Sequence, residues 1–332
     1  MAADELQHYI PKFWLKRFAS AENDRVHVFD KHTDNSFAAS PKKLAAQKNF
    51  YDFTFDKVEL SLEPVLSQLE SRAANHLAQI VKDGHLHLNN AQERIDLASF
   101  FAAQLVRTPA IEATWDECLS KMEAYLRRAG APDGFFQNDP RLGSDENADR
   151  ALQVKMIAQA PERLGPCLLE KDWFLEVTDR EHPFLLGDHP LAMFKTTDPG
   201  AVGSLGVATP GVELHCPLTP RLAMAMYCPS HRRELIEATE LRSGLPWQEV
   251  LKDEKLAERP WGPAMEFVKA IQFGVPLRLV PENVRHFNSL QVAQAERFVF
   301  SNANDFSIVR EMIQTDERAR RGHRLHEVTG KF

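Results

Sequence analysis

The chain has 332 residues, of which 43% are hydrophobic and 26% charged, and its formal net charge is -7. This length and composition suffice for a full core in one large domain, and the acidic balance argues against a protein that coats nucleic acid through basic residues. No apolar run approaches the roughly 20 residues that cross a bilayer, and residues 1–5 lack the features of a secretory signal. We therefore expect a cytoplasmic protein without membrane contact.

The first half of the chain carries the clearest periodic patterns. Polar and apolar residues alternate in its first segment, as in a half-buried strand, whereas apolar residues recur at three- and four-residue steps in the later ones. Asn90, followed by Glu93 three positions later, is typical of a helix start. The predicted elements are a β-hairpin over 25–36 and helices over 59–82, 90–109 and 110–129.

The second half of the chain mixes both kinds of pattern. Residues 130–148 are rich in turn formers and predict a loop at an internal seam of a single domain. The segments after this loop predict helices over 149–165, 284–299 and 305–319, short strands over 173–178, 183–186 and 222–227, and a basic tail over 318–332. We therefore expect an α+β fold, in which a helical block packs against a small, mostly antiparallel sheet.

Standard cofactor and nucleophile motifs are missing from the sequence. It contains no Gly-x-Gly-x-x-Gly and no Gly-x4-Gly-Lys-Ser/Thr, which argues against dinucleotide and P-loop nucleotide sites. It also lacks Gly-x-Ser-x-Gly, the nucleophile motif of many esterases. Function must therefore be inferred from less specific residue groupings.

Several short motifs nevertheless occur in a recognisable order. They are Gln7-His8-Tyr9-Ile10-Pro11 with the Trp14 to Phe18 segment behind it, Gln104-x-x-Arg107-Thr108-Pro109, Gly187-Asp188-His189-Pro190, and Asn288. In these motifs the sequence resembles a bacterial family catalogued as domain of unknown function 4238. Gly187 and His189 stand where that family usually has serine and asparagine. The resemblance implies shared positions, but it implies no established activity.

The arginine motif suggests an anion. Gln104 and Arg107 lie three residues apart on one helix face, close to the apolar Phe101. A buried arginine needs a negative partner, because an unpaired buried charge costs several kcal/mol, roughly. One interpretation is an internal salt bridge, for instance to Glu70, and the other is a clamp for phosphate or carboxylate. Arg17 is a second candidate for phosphate binding.

A carboxylate and two histidines suggest proton or metal chemistry. Asp188 follows an apolar run, so we expect it where a buried strand ends. It either accepts backbone N–H groups in a turn, or binds a divalent metal or acts as a general base with His189 or His8 nearby. His8 itself is either a core histidine or a proton donor and acceptor. Asn288 needs polar partners if it is buried.

Two functions are compatible with these residues. The first is a nuclease-like or nucleotide-acting hydrolase, whose partner is a small phosphorylated molecule or a nucleic acid. Its predicted site residues are catalytic His8, Asp188 and His189, substrate-binding Arg17, Gln104, Arg107 and Asn288, and a divalent cation at Asp188. The second is a non-enzymatic binding or regulatory protein, in which the same residues form a structural network. A solvent-reaching pocket would favour the first, and a sealed, fully paired network the second.

Overall fold

The computed structural model describes residues 6–55, 57–87, 90–130, 132, 146–195 and 206–322. Most of the predicted loop over 130–148 and the predicted tail from residue 323 onward lie outside these ranges. The helices, in chain order, are α1 (Lys12–Leu15), α2 (Glu63–Asp83), α3 (Ala91–Val106), α4 (Pro109–Arg128), α5 (Glu146–Leu169), α6 (Pro229–Ser243), α7 (Trp247–Val250), α8 (Gly262–Phe273), α9 (Pro281–Gln294) and α10 (Ser307–Thr315).

The strands are short and come from both halves of the chain. In chain order they are β1 (Leu6–His8), β2 (Val26–Asp30), β3 (Asn35–Ala39), β4 (Ala46–Lys48), β5 (Asp52–Phe55), β6 (Val58–Ser61), β7 (Asp172–Val177), β8 (Leu186–Gly187), β9 (Ala192–Lys195), β10 (Val212–Thr219), β11 (Leu222–Tyr227), β12 (Leu277–Arg278) and β13 (Phe298–Ser301).

Two sheets organise these strands. The larger has the order β12-β7-β11-β10-β9 and is antiparallel except for its β12-β7 pair. The smaller has the order β3-β2-β13-β8 and is antiparallel throughout. With the helical block of α2 to α5 beside them, the sheets confirm the predicted α+β class.

Local sequence signals predicted the first half of the fold well. The hairpin is confirmed by β2 and β3, in which Asp30 pairs with Asn35. The helix start at Asn90 is also confirmed, because its side chain accepts the backbone N–H of Glu93 at 3.1 Å. The first predicted helix begins four residues late, since residues 58–61 form a strand that pairs with β5.

The prediction is wrong at several points in the second half. The helix expected over 284–299 ends at Gln294, because the buried Lys31 ammonium bonds the carbonyl groups of Val292 and Ala295 at 2.7 and 2.6 Å. Residues 298–301 then form β13, between β2 and β8. Residues 212–219, which include Pro217, form β10, a strand that was not predicted. The helices α6 and α8 were not predicted.

A chain of aromatic rings runs through the core. Trp14 packs on Phe100 and Phe101 with ring centroids 5.8 and 6.2 Å apart, and Phe101 packs on Trp173 of β7 at 6.0 Å. These contacts join the N-terminal segment, the helical block and the larger sheet.

Within the described part of the chain, none of the helices combines the length and apolar composition needed to cross a bilayer.

Candidate functional site

Backbone and side-chain hydrogen bonds fix the opening motif in place. The Gln7 carboxamide accepts the backbone N–H of Tyr51, and the Tyr51 hydroxyl donates to the carbonyl of His8 at 3.1 Å. From the other side, the amide of Gln104 donates to the carbonyl of Tyr9 at 2.8 Å. The opening motif is therefore anchored to the arginine motif of α3.

Arg107 is part of the same network. Its side chain is 1% exposed, and its Nη1 bonds Glu70 of α2 at 2.6 Å. Its Nε and Nη2 both donate to the Gln104 carbonyl oxygen, at 2.9 and 2.7 Å. The internal salt bridge with Glu70 is thus confirmed, whereas the substrate-binding roles of Gln104 and Arg107 stay predictions.

Asp188 lies at the end of β8 and is buried. Its Oδ1 accepts the backbone N–H of Glu296 at 2.6 Å, and its Oδ2 accepts those of Arg297 and Phe298, both at 2.8 Å. Burial raises the pKa of Asp188 to about 6, while the three N–H groups act in the opposite direction. The carboxylate therefore positions the segment that leads into β13.

The predicted catalytic and metal-binding roles of Asp188 stay predictions. Both of its oxygens already accept hydrogen bonds from the main chain. Among the described residues, no group of three or more histidine, cysteine, aspartate or glutamate side chains is arranged to hold a metal ion. A cation at Asp188 would compete with these main-chain donors for the carboxylate oxygens.

His189 connects the same turn to the helical block. Its Nδ1 lies 2.7 Å from the hydroxyl of Thr108, the residue before α4. Burial lowers the pKa of His189 to about 4, so the imidazole is neutral near neutral pH. Two family motifs that are 81 residues apart thereby meet through one hydrogen bond.

We expect protein stability to depend on pH through His189. Its pKa is about 4 in the folded protein against an ordinary value of 6.5, so the unfolded state binds the proton first as the pH falls. The contribution is complete above about pH 6.5 and is lost on acidification, by about 2 kcal/mol at pH 5. His189→Asn, which introduces the usual family residue, should remove this loss. Urea unfolding of the unchanged protein and of the variant, at about pH 7.5 and pH 5, measures this loss of stability.

Asp188 titrates in both of these proteins, so the difference between them isolates His189. An equal loss of stability on acidification in the variant and the unchanged protein would contradict the assignment.

Amide side chains of α9 form hydrogen bonds with the backbone of the segment that precedes Asp188. Asn288 accepts the backbone N–H of Leu185 at 2.8 Å and donates to the carbonyl of Pro183 at 2.9 Å. Gln291 accepts the backbone N–H of Gly187 at 2.8 Å. A Cβ atom at Gly187 would lie 2.7 Å from the Gln291 carbonyl oxygen, so a serine here would require α9 to move. The predicted substrate-binding role of Asn288 stays a prediction.

His8 and Arg17 each retain one atom without a partner. The Nε2 of His8 and the Nη1 of Arg17 are buried and make no hydrogen bond within the described structure. Burial, together with the charge of Lys12, lowers the pKa of His8, and burial lowers the pKa of Arg17. In the opening motif it is Tyr9 whose pKa is raised by burial and by the charge of Asp188.

A second polar cluster, which the sequence did not predict, lies on the larger sheet. His215 of β10 is opposite Ala225 of β11, and Glu176 of β7 is opposite Ala223. Because the middle strand presents only small side chains here, Glu176 reaches across it, and its Oε2 lies 3.3 Å from His215 Nδ1. Tyr227, two residues after Ala225, belongs to the same face.

These residues form a hydrogen-bonded chain. The Nε2 of His215 lies 3.2 Å from the Tyr227 hydroxyl, and both His215 and Glu176 are 1% exposed. Glu213, directly opposite Tyr227 in the sheet, places Oε2 3.8 Å from the same His215 nitrogen. The ring of Phe287 stacks on His215 with centroids 3.7 Å apart. The cluster is therefore both desolvated and tightly packed.

The charged groups of the cluster shift the pKa values of His215 and Tyr227. Burial alone would lower the pKa of His215, but Glu176 and Glu213 outweigh burial and raise it. In the cationic form both ring nitrogens donate, one to Glu176 and the other to the Tyr227 oxygen. Burial, Glu176 and Glu213 raise the pKa of Tyr227 well above its usual range, so its hydroxyl keeps its proton. Tyr227 is thereby a protonated hydrogen-bond donor, and its hydroxyl also hydrogen-bonds Glu213.

A cavity of about 500 Å³ borders this cluster. Tyr227 and His231 line it together with apolar residues of α6 and α8, among them Leu235 and Phe267. The Nε2 of His231 lies 3.2 Å from the carbonyl of Gly211, which can only accept, so the proton of the neutral ring is on Nε2. The Nδ1 of His231 is then the acceptor nitrogen of the ring.

The sequence contains a signal for this site. Glu213 and His215 are two residues apart, as are Ala223 and Ala225, which is the spacing of side chains on one face of a strand. The strand predicted over 222–227 is confirmed by β11, but β10 was missed.

Comparison with protein families places both clusters in one matching region. A family model described as "Protein of unknown function (DUF4238)" matches residues 6–305. The chain belongs to this family. No curated protein and no solved structure matches it. Membership in DUF4238 therefore supplies positions without an activity, and the function must be inferred from the geometry.

Proposed function

We propose that this protein is a hydrolase of a small carbonyl compound, with His231 as general base and Tyr227 as hydrogen-bond donor to the reacting carbonyl. The observation that carries the proposal is the chain from Glu176 through His215 to Tyr227, which ends at a cavity that His231 also lines. A cavity with convergent polar groups of shifted pKa is a common signature of an active site.

The geometry supports a simple sequence of proton transfers. As a water oxygen attacks the carbonyl carbon, His231 Nδ1 accepts a proton from that water. Tyr227 donates a hydrogen bond to the carbonyl oxygen, where negative charge develops, and the cationic His215 behind it strengthens this bond. The protonated His231 then returns its proton to the leaving atom, so the enzyme ends unchanged.

The residues that line the cavity also limit the chemical class of the substrate. Apolar side chains, including Leu235, Ala238 and Phe267, form most of the wall, which suits an apolar group on the substrate. The carboxyl of Glu234 lines the same cavity and Glu213 lies beside it, and both would repel an anion. This site therefore favours a neutral ester or amide over a phosphate ester.

Variants of the two lining residues test the proposal. We expect His231→Gln and Tyr227→Phe to lower kcat/KM by about 100-fold or more on the best of a panel of p-nitrophenyl carboxylic esters. His182→Gln is the matched control, because His182 is exposed and pairs with Asp179 at a surface turn. Melting temperatures of all variants report whether they fold. Unchanged kcat/KM in folded variants would exclude this site.

A second candidate function is hydrolysis of a phosphate-bearing substrate bound at the opening motif. It is favoured by Arg17, whose guanidinium lies partly buried over the Phe13 ring and whose Nη1 has no partner among the described residues. Phosphate monoesters and diesters belong in the same panel. Turnover of a phosphate ester that Arg17→Met abolishes, and that Tyr227→Phe leaves unchanged, would favour this candidate over the first.

A further inference from the structure

A cavity between α4 and α5 contains two donors without partners. It measures about 190 Å³, and Trp115 and Gln153 are among the residues that line it. The indole Nε1 of Trp115 and the amide Nε2 of Gln153 are buried and make no hydrogen bond within the described structure. Gln153 is only 8% exposed, so water reaches little of its side chain.

These donors point to a ligand that carries an acceptor. An indole N–H can only donate, so no change in its protonation or tautomer can satisfy it. A buried donor that stays unpaired costs about 1–3 kcal/mol, and a ligand oxygen would remove this cost. A carboxylate has two oxygens and can accept from both nitrogens at once.

The same cavity also carries negative charge. Glu112 and Asp116 line it from α4, four residues apart on one face of the helix. Burial raises the pKa of Glu112, Arg150 lowers it and Asp116 raises it further. Arg150 also lines the cavity, and its Nη1 already donates to the carbonyl of Phe50 at 2.8 Å. With two carboxylates and one guanidinium the lining keeps a net negative charge, which disfavours a ligand that supplies only a carboxylate.

We propose that this cavity binds a small zwitterion of the size of a free α-amino acid. Its carboxylate accepts the N–H groups of Trp115 and Gln153, and its ammonium group pairs with Glu112 and Asp116. The cavity is smaller than the sites of drug-sized ligands, which agrees with a ligand of few atoms. The inference does not depend on the hydrolase proposal, because it uses a different cavity.

The position of this cavity connects it to the family motifs. Glu112 follows Thr108 by one helical turn, and Thr108 bonds His189 of the Gly187-Asp188-His189-Pro190 motif. A ligand seated between α4 and α5 would thus stabilise the end of the polar network.

An NMR titration tests the proposal directly. The indole N–H resonances of the protein are followed while each of the common amino acids is added, with the corresponding amine and the corresponding carboxylic acid as matched ligands. Trp115→Phe assigns the resonance of Trp115. We expect an amino acid to move this resonance downfield, and the amine and the acid at equal concentration to leave it in place. Trp261, whose Nε1 also lacks a partner among the described residues but which does not line this cavity, is the internal control.

Two variants separate the two halves of the ligand. Gln153→Leu should weaken the binding about tenfold, because one buried hydrogen bond is lost. Glu112→Gln should weaken the binding of amino acids and narrow the difference between them and the matched carboxylic acids, and it keeps the test open if Gln153→Leu does not fold. No shift of Trp115 with any amino acid would overturn the proposal. So would an equal shift with the amine alone, which would make the cavity a cation site.

Discussion

Replacing Arg107 with methionine should lower the free energy of unfolding by about 3–5 kcal/mol, because it breaks a buried ion pair and leaves its partners behind. Methionine keeps much of the side-chain volume, so the loss reports the charge and the hydrogen bonds rather than a cavity. Glu70 loses a bond of 2.6 Å, and the carbonyl oxygen of Gln104 loses two donors. Chemical denaturation at about pH 7 measures the difference.

Arg127→Met is the matched control for this prediction. Arg127 pairs with Glu123 four residues earlier on the surface of α4, and the two side chains are 63% and 42% exposed. Its loss should change the stability by less than about 0.5 kcal/mol. If Arg107→Met cost no more than the control, Arg107 would not hold α2 and α3 together, and its predicted role in ligand binding would gain support.

The ion pair of Arg107 illustrates what the sequence could predict. Glu70 lies on α2 and Arg107 directly follows α3. The apolar faces of both helices are visible as three- and four-residue repeats, so the approach of the two helices could be expected. The cap of α3 at Asn90 and the hairpin of β2 and β3 rest on equally local signals. In each case, residues close in sequence, or on neighbouring elements, determine the contact.

The second polar cluster, on the larger sheet, illustrates what the sequence could not predict. Glu176, His215 and Tyr227 lie on three strands, and their contacts depend on the register in which these strands pair. A shift of one residue would turn His215 to the opposite face of the sheet. Pro217 also obscured β10, since proline is uncommon inside a strand. The candidate active site therefore emerges from tertiary structure, although its residue types are visible in the chain.

The partners of Asp188 were equally hidden, because they are main-chain N–H groups about 110 residues further along. Backbone donors exist at nearly every position, so no residue type marks them. The sequence left open a turn, a base or a metal ligand for this carboxylate. The structure shows that this carboxylate binds the segment that leads into β13. A substitution at Asp188 tests this contact quantitatively.

Asp188→Asn should lower the free energy of unfolding by about 3–5 kcal/mol at about pH 7, where the carboxyl group is ionised. The amide nitrogen of asparagine is a donor. It therefore cannot accept a hydrogen bond from a backbone N–H group that it faces. At least one of the N–H groups of Glu296, Arg297 and Phe298 then stays buried and unpaired. Unfolding in urea measures the loss.

Asp179→Asn provides the comparison for this substitution. Asp179 also accepts two backbone N–H groups, from Glu181 and His182, both at 2.9 Å, but at an exposed turn. Water can replace its bonds, so we expect a loss below about 1 kcal/mol. If Asp188→Asn were as mild as this control and still abolished turnover of a substrate, Asp188 would be catalytic. A large loss of stability identifies it as the residue that joins β8 to β13.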